Sequence, residues 1–328
     1  MLRFKILYIV SGIIFLLIIN FWYLSTLRNE KIILGASFSP EYTRYLGLDL
    51  KDTYKIVLDD WNFRYLRLTA RWDEIEKEKG KFDFSELDYL MDEAAKRKVK
   101  VILALGQKTP RWPECNVPAW SEKLSDDEYF LSLNNFLKNT TQHYSNHSAL
   151  EIWQVENEPF LAFGKVCHKL DPIKLKTEID TVKNLDKNHS VLVTDSGELS
   201  MWGKTIKAGD LFGTTVYRIV WNEHLGYFAY NWLPASAYRL RALWHGRDLN
   251  QTYVAELQAE PWVANHTISD NNVAEQFKTM NLDRLEKNLY FAKQTGFSRA
   301  YLWGVEWWYW LKVHGYPDIY DYAKNLSK

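Results

Sequence analysis

Leu150 to Phe160 reads LEIWQVENEPF. Its first half is an apolar run of strand length, and its second half turns into Glu156-Asn157-Glu158-Pro159. A short continuous apolar run stopped by polar residues and a proline is the pattern of a strand buried on both faces, as in a parallel sheet. Carboxylates directly after such a strand lie at the end where α/β folds place their chemistry.

Working outward, similar runs recur at Ile32–Phe38, Arg64–Leu68, Val99–Leu105, Ser190–Thr194, Leu211–Val216, Thr252–Ala255 and Ala300–Trp303. With Leu150–Val155 these make eight strand candidates. Between several of them apolar residues repeat at spacings of three and four, in Phe84–Arg97, Asp126–Tyr144, Pro172–Leu185 and Val273–Thr295, which predicts helices. Strands alternating with helices imply a parallel sheet. No low-complexity linker interrupts the chain after Lys31, and no Gly-rich phosphate turn follows a strand. Residues 28–328 therefore read as one closed (β/α)8 barrel rather than an open doubly wound sheet.

Residues 1–27 have a different character. Ile6 to Leu24 is almost uninterrupted apolar sequence, preceded by Arg3 and Lys5 and ending in Phe21-Trp22-Tyr23-Leu24. At about 1.5 Å per residue it covers most of a bilayer core of roughly 30 Å. A cleavable signal peptide would be shorter and would end in small residues, so the expectation is an uncleaved transmembrane signal anchor with the barrel outside the cytoplasm.

Lys+Arg and Asp+Glu both number 41 in 328 residues, so no broad basic field exists for nucleic acid. Aromatic residues make up 16%, with 15 Trp and 20 Tyr. Indole faces stack on the apolar faces of sugar rings, so some of these tryptophans are expected to line a cleft, the rest serving the core. The 8 His residues show no metal-ligand spacing, and no metal or cofactor is expected. Cys115 and Cys167 follow the third and fourth strands. A barrel places those loops side by side, where a disulfide is expected.

At the strand ends lie Arg67, Trp112 after the third strand, Asn157 and Glu158, Tyr217, Glu256 with Glu260, and Trp303 with Glu306. Carboxylates after strands four and seven face each other across a barrel mouth, as acid and nucleophile must across a glycosidic bond. The run WQVENEPF, Trp153 to Phe160, resembles the Asn-Glu-Pro signature of the clan A glycoside hydrolases, the (β/α)8 group that includes family 5 cellulases and family 42 β-galactosidases. Arg67–Leu103 is similar to that clan's segment from second to third strand, and YVAELQAEPW, Tyr253 to Trp262, resembles its nucleophile segment.

The resemblance implies a retaining glycoside hydrolase. Glu158 would be the acid/base and Glu256 the nucleophile, with Glu260, four residues on, as the other candidate. Asn157 would bond the sugar's 2-hydroxyl, Arg67 and Tyr217 would hold Glu256, and Trp303 would lie under the ring. Trp112 and Glu306 complete the expected substrate contacts, and Glu156 is expected to face a helix. Two carboxyls about 5–5.5 Å apart would give retention. The expected substrate is a β-linked oligo- or polysaccharide, handled by a monomer. Two other functions use the same residues or fold, an inactive glycan-binding barrel and a transglycosylase.

Overall fold

A computed structural model describes residues 28–326 apart from 166, 265–267 and 269–271, together with 8, 10–12, 15, 16 and 19. The expected anchor, Ile6–Leu24, lies largely outside the described residues. Among those described, no helix is long and apolar enough to cross a membrane.

Eight parallel strands close a barrel: β1 (Ile33–Ser37), β2 (Tyr65–Thr69), β3 (Lys100–Leu105), β4 (Leu150–Val155), β5 (Ser190–Asp195), β6 (Leu211–Val216), β9 (Thr252–Gln258) and β10 (Arg299–Trp303). Each candidate strand of the sequence corresponds to one of these. The hairpin β7 (Ile219–Asn222) and β8 (Gly226–Ala229) is inserted after β6 and was not expected.

The helices begin where capping residues allow. Ser125 and Glu128 form a capping box at the start of Asp126–Tyr144, and Asp171 caps Pro172–Leu185 with proline at its first turn. The single helix expected over Val273–Thr295 is two, Val273–Gln276 and Leu282–Thr295. The cause is Asn281, whose side chain accepts from Arg284 N and starts a new helix, ended by Gly296 at φ 78°.

Six of the described tryptophans serve packing and not a cleft. Trp61, Trp72, Trp153, Trp202, Trp307 and Trp308 are fully buried. Inside the barrel's lower half, Ile102, Ile152, Leu192, Tyr253 and Tyr301 form a separate buried cluster. Beneath it Arg299 holds Glu151 through two bonds of 2.7 and 2.9 Å, with its guanidinium over the rings of Tyr65 and Tyr253.

One irregularity in β9 positions the site. Against β6, Thr214 pairs with Val254 but Thr215 pairs with Glu256, so β9 carries one extra residue at Ala255. The same shift appears against β10. A bulge reverses the alternation of side chains beyond it, so Tyr253 and Glu256 both face inward although they are an odd number of residues apart.

Candidate active site

At the carboxyl ends of the strands lies a cleft of about 290 Å³, walled in part by Tyr42, Arg111, Trp112, Glu114, Phe163, Tyr217, Glu256, Glu260, Trp262 and Trp303. Arg67, on β2, is 1% exposed and organises its floor. Its Nη1 donates to Glu256 Oε1 at 2.8 Å, its Nη2 to Asn157 Oδ1 at 2.7 Å, and its Nε to Gln154 Oε1 at 2.7 Å. One planar guanidinium thus ties the end of β4 to the bulged β9 across the barrel mouth.

Tyr217, just past β6, donates to the other oxygen of Glu256 at 2.8 Å. Both oxygens of Glu256 therefore accept bonds, which fixes the carboxylate in place at the mouth of the barrel. Asn157 Oδ1 also accepts from Thr194 Oγ1 at 3.1 Å and Gln154 Nε2 at 3.3 Å. All three partners fall on its carbonyl oxygen.

Glu158 has the opposite surroundings. It is 5% exposed, and among the described residues its carboxyl accepts only a long bond, 3.5 Å, from Thr215 Oγ1. Burial first, then the carboxylates of Glu114 and Glu256, hold its carboxyl well above the usual glutamate range. Glu114 itself is pushed up to about 6 by burial, against the pull of Lys108. Lys108 Nζ lies 3.0 Å from Glu114 Oε2 and donates to the backbone oxygens of Glu158 and Leu161 at 3.1 and 3.0 Å.

The chain turns sharply between the two glutamates of the ENEP motif. Glu156 and Glu158 have φ of 60° and 45°, a region that non-glycine residues rarely occupy and that concentrates at functional sites. The turn separates them. Glu156 faces away from the cleft, accepting from Gln107 N and Lys108 N at 2.8 Å each, with the buried Glu178 of helix Pro172–Leu185 beside it. Burial pushes Glu156 up to about 7. Gly106 leaves the room for this, since a Cβ there would lie 2.4 Å from the Glu156 carboxylate.

Glu260 does not join Glu256. It pairs with Arg111, whose guanidinium lies 3.7 Å from the Tyr42 ring centre and 4.4 Å from that of Trp303. Trp303 reaches the cleft wall as expected, but a cation covers its ring. Glu306, expected among the substrate contacts, is fully buried, accepting from Ser39 N at 2.6 Å with Arg111 3.8 Å away, behind the cleft wall. Trp112 stands at the rim, 53% exposed.

Cys115 and Cys167 are joined, with Cα atoms 5.4 Å apart. Arg111, Glu114, Phe163 and Trp262 were not among the expected site residues, for they sit in loops where no periodicity marks them. The one signal was position: each follows a strand whose end was already under suspicion. Among the described residues no group of side chains could hold a metal.

The β-galactosidase family, glycoside hydrolase family 42, matches residues 57–202, a span that includes Arg67, Asn157 and Glu158. No curated protein matches the chain. Among solved structures, xylanase 10B from Thermotoga maritima superposes with a TM-score of 0.55 at 15% identity, over 84% of this chain and 83% of that one. An exo-β-1,4-mannosidase from an Opitutaceae bacterium gives 0.58 at 14% identity, over 84% and 53%. A β-galactosidase from the Antarctic haloarchaeon Halorubrum lacusprofundi gives 0.52 at 15%, over 83% and 52%. At such identities the superpositions speak for the barrel alone. The family match, residues 57–202, runs from the second to the fifth strand and is a likeness over less than half of the chain.

Proposed function

We propose that the chain is a retaining β-glycosidase that cleaves an oligo- or polysaccharide by double displacement, with Glu256 as nucleophile and Glu158 as acid/base. The observation that carries this is the contrast between the two carboxyls. Glu256 is bonded on both oxygens by Arg67 and Tyr217, whereas Glu158 is buried, nearly unbonded and surrounded by negative charge. A carboxylate held by two donors is fixed for attack, and a buried one raised above the usual range is suited to proton donation.

In the first step a Glu256 oxygen forms a bond to the anomeric carbon as the bond to the leaving oxygen breaks, and that oxygen takes the Glu158 proton. In the second, Glu158 removes a proton from water, whose oxygen displaces Glu256 from the same carbon. Asn157 Nδ2 is placed to donate to the sugar beside Glu256. The chain supplies every group in this scheme, without metal or cofactor, and a single copy suffices. The apolar run Ile6–Leu24 would anchor the enzyme in a membrane with the barrel outside the cytoplasm, where its glycan substrate lies.

Incubation with a glycan panel, followed by the variants Glu158→Gln and Glu256→Gln, tests the assignment. Each variant is expected to lose on the order of 10³-fold or more in kcat while keeping the wild-type circular dichroism. A 2-deoxy-2-fluoro glycoside should add one sugar to the peptide containing Glu256. Near wild-type turnover in either variant, or a label on Glu260, would overturn the roles.

A further inference from the structure

Three residues past β5, the carboxyl of Glu198 reaches between the two halves of the site. Its Oε1 accepts from Tyr238 Oη at 2.5 Å and from Tyr217 N at 2.9 Å, and Tyr217 is the residue whose hydroxyl holds Glu256. Its Oε2 lies 3.3 Å from Thr215 Oγ1, on β6. The same hydroxyl lies 3.5 Å from Glu158 Oε1. The loop that carries Glu198 is built for this approach. Arg241, on helix Ala235–Trp244, donates to Gly197 O at 2.8 Å and to Ser200 O at 2.6 Å, and a Cβ at Gly197 would lie 2.0 Å from Thr215 O.

The hydrogens available at Thr215 decide what this contact does. A hydroxyl has one hydrogen and two lone pairs. Gly197 N donates to Thr215 Oγ1 at 3.0 Å and takes one lone pair, which leaves one lone pair and the hydrogen for two carboxyls. The hydroxyl can serve both only when one carboxyl is protonated and the other ionised. Burial pushes Glu198 up to about 7, against the bonds from Tyr238 and Tyr217 N, so from near neutral pH upward it is an acceptor only. It then claims the hydrogen, and the remaining lone pair accepts from a protonated Glu158. Tyr238 and Arg241 face Glu198 from their helix, Arg218 from beyond β6 and Tyr230 from beyond β8. Glu158 is faced by Glu114, Glu256, Lys108, Asp195 and Tyr217.

We propose that Glu198 is a positioning residue that acts through Thr215, accepting its one hydrogen and so keeping the hydroxyl's free lone pair turned to the protonated carboxyl of Glu158. This rests on the glycosidase reading. Glu198→Gln tests it, because Tyr238 and Tyr217 N are both donors and keep the amide oxygen, so the amide nitrogen faces Thr215. That nitrogen fills the second lone pair, and the hydroxyl's hydrogen can turn only to Glu158, which favours the ionised carboxylate. Phenyl and 2,4-dinitrophenyl β-glycosides, made as galactosides, mannosides and xylosides, read the effect, since phenolate needs the Glu158 proton to leave and dinitrophenolate does not.

In Glu198→Gln the alkaline limb of kcat/KM on the phenyl glycoside is expected to fall by roughly half a pH unit or more, and above neutral pH the loss on this substrate should exceed that on the dinitrophenyl glycoside roughly fivefold. In a Thr215→Val background the same change should leave the limb where Thr215→Val alone puts it. In Thr215→Ser, which keeps the hydroxyl, it should move the limb as it does in the wild type. Equal losses on both glycosides with an unmoved limb would mean that Glu198 only supports the fold, and a shift that persists in Thr215→Val would mean that its charge acts directly and not through the hydroxyl. Either result overturns the inference while leaving the glycosidase reading intact. Absence of any turnover or fluorosugar labelling by the wild type would instead overturn that reading, and the inference with it.

Discussion

Glu114 shows how one residue can set the working range of another. It is a carboxylate on the cleft wall with φ of 68°, held by Lys108 and by its backbone bonds to Arg111 and Thr109. The charged groups that bear on Glu158 are Glu114, Glu256 and Asp195, which raise its pKa, and Lys108, which lowers it. In the proposed reaction Glu158 must carry its proton to act as acid, so its pKa would set the alkaline limb of kcat/KM. Glu114→Gln removes a negative charge and leaves Lys108 unopposed, and both changes favour the ionised form of Glu158. The alkaline limb is therefore expected to move to lower pH in this variant, read from a pH profile on a chromogenic glycoside. An unmoved limb would sever the link between the two residues. At this scale the ENEP turn was legible, because Asn157 and Glu158 follow a plain apolar strand. Glu114 was not, since nothing in Pro113-Glu114-Cys115 distinguishes a cleft carboxylate from a solvated one.

Elements decided what single residues could not. Strict alternation in TYVAELQ groups Glu256 with Val254 and Gln258, opposite to Tyr253, and it is the bulge at Ala255 that turns both Tyr253 and Glu256 inward. Bulges leave no composition signature, so the side that Glu256 faces could be read from function but not from pattern. The capping asparagine at 281 was visible in the sequence and yet was overridden by the apolar periodicity running through it. The paired loops after β3 and β4 belong to this scale too. Their disulfide spans a sequence separation of 52 residues. Loop-closure entropy alone predicts roughly 4 kcal/mol of stabilisation for such a bridge. Cys115→Ser with Cys167→Ser is expected to lower the Tm by several degrees, seen in parallel melts of variant and wild type. A shift of less than a degree would show that the loops are held by their other cross-ties. Mass spectrometry of the non-reduced protein after thiol alkylation checks the bridge directly.

For the whole molecule, eight apolar runs separated by helical patterns were enough to call for a closed barrel, since that periodicity is set by burial on both faces of every strand. Asn29 N donates to Lys293 O at 2.8 Å and Asn29 Nδ2 to Phe297 O at 3.0 Å, fixing the segment before β1 to helix Leu282–Thr295 and the turn before β10. Removal of residues 1–27 leaves both bonds in place, and the truncated protein is expected to be soluble and as active as the full chain, checked by gel filtration and the same glycosidase assay. An insoluble or inactive product would mean that the N-terminal run packs on the domain. The plug of Ile102, Ile152, Leu192, Tyr253 and Tyr301 over the Arg299–Glu151 pair has a consequence for traffic. The lumen is a blind well, so a polymer cannot be threaded through the molecule as through a ring. In the proposed reaction a sugar chain would lie across the open end, and its pieces would leave from the side by which it came.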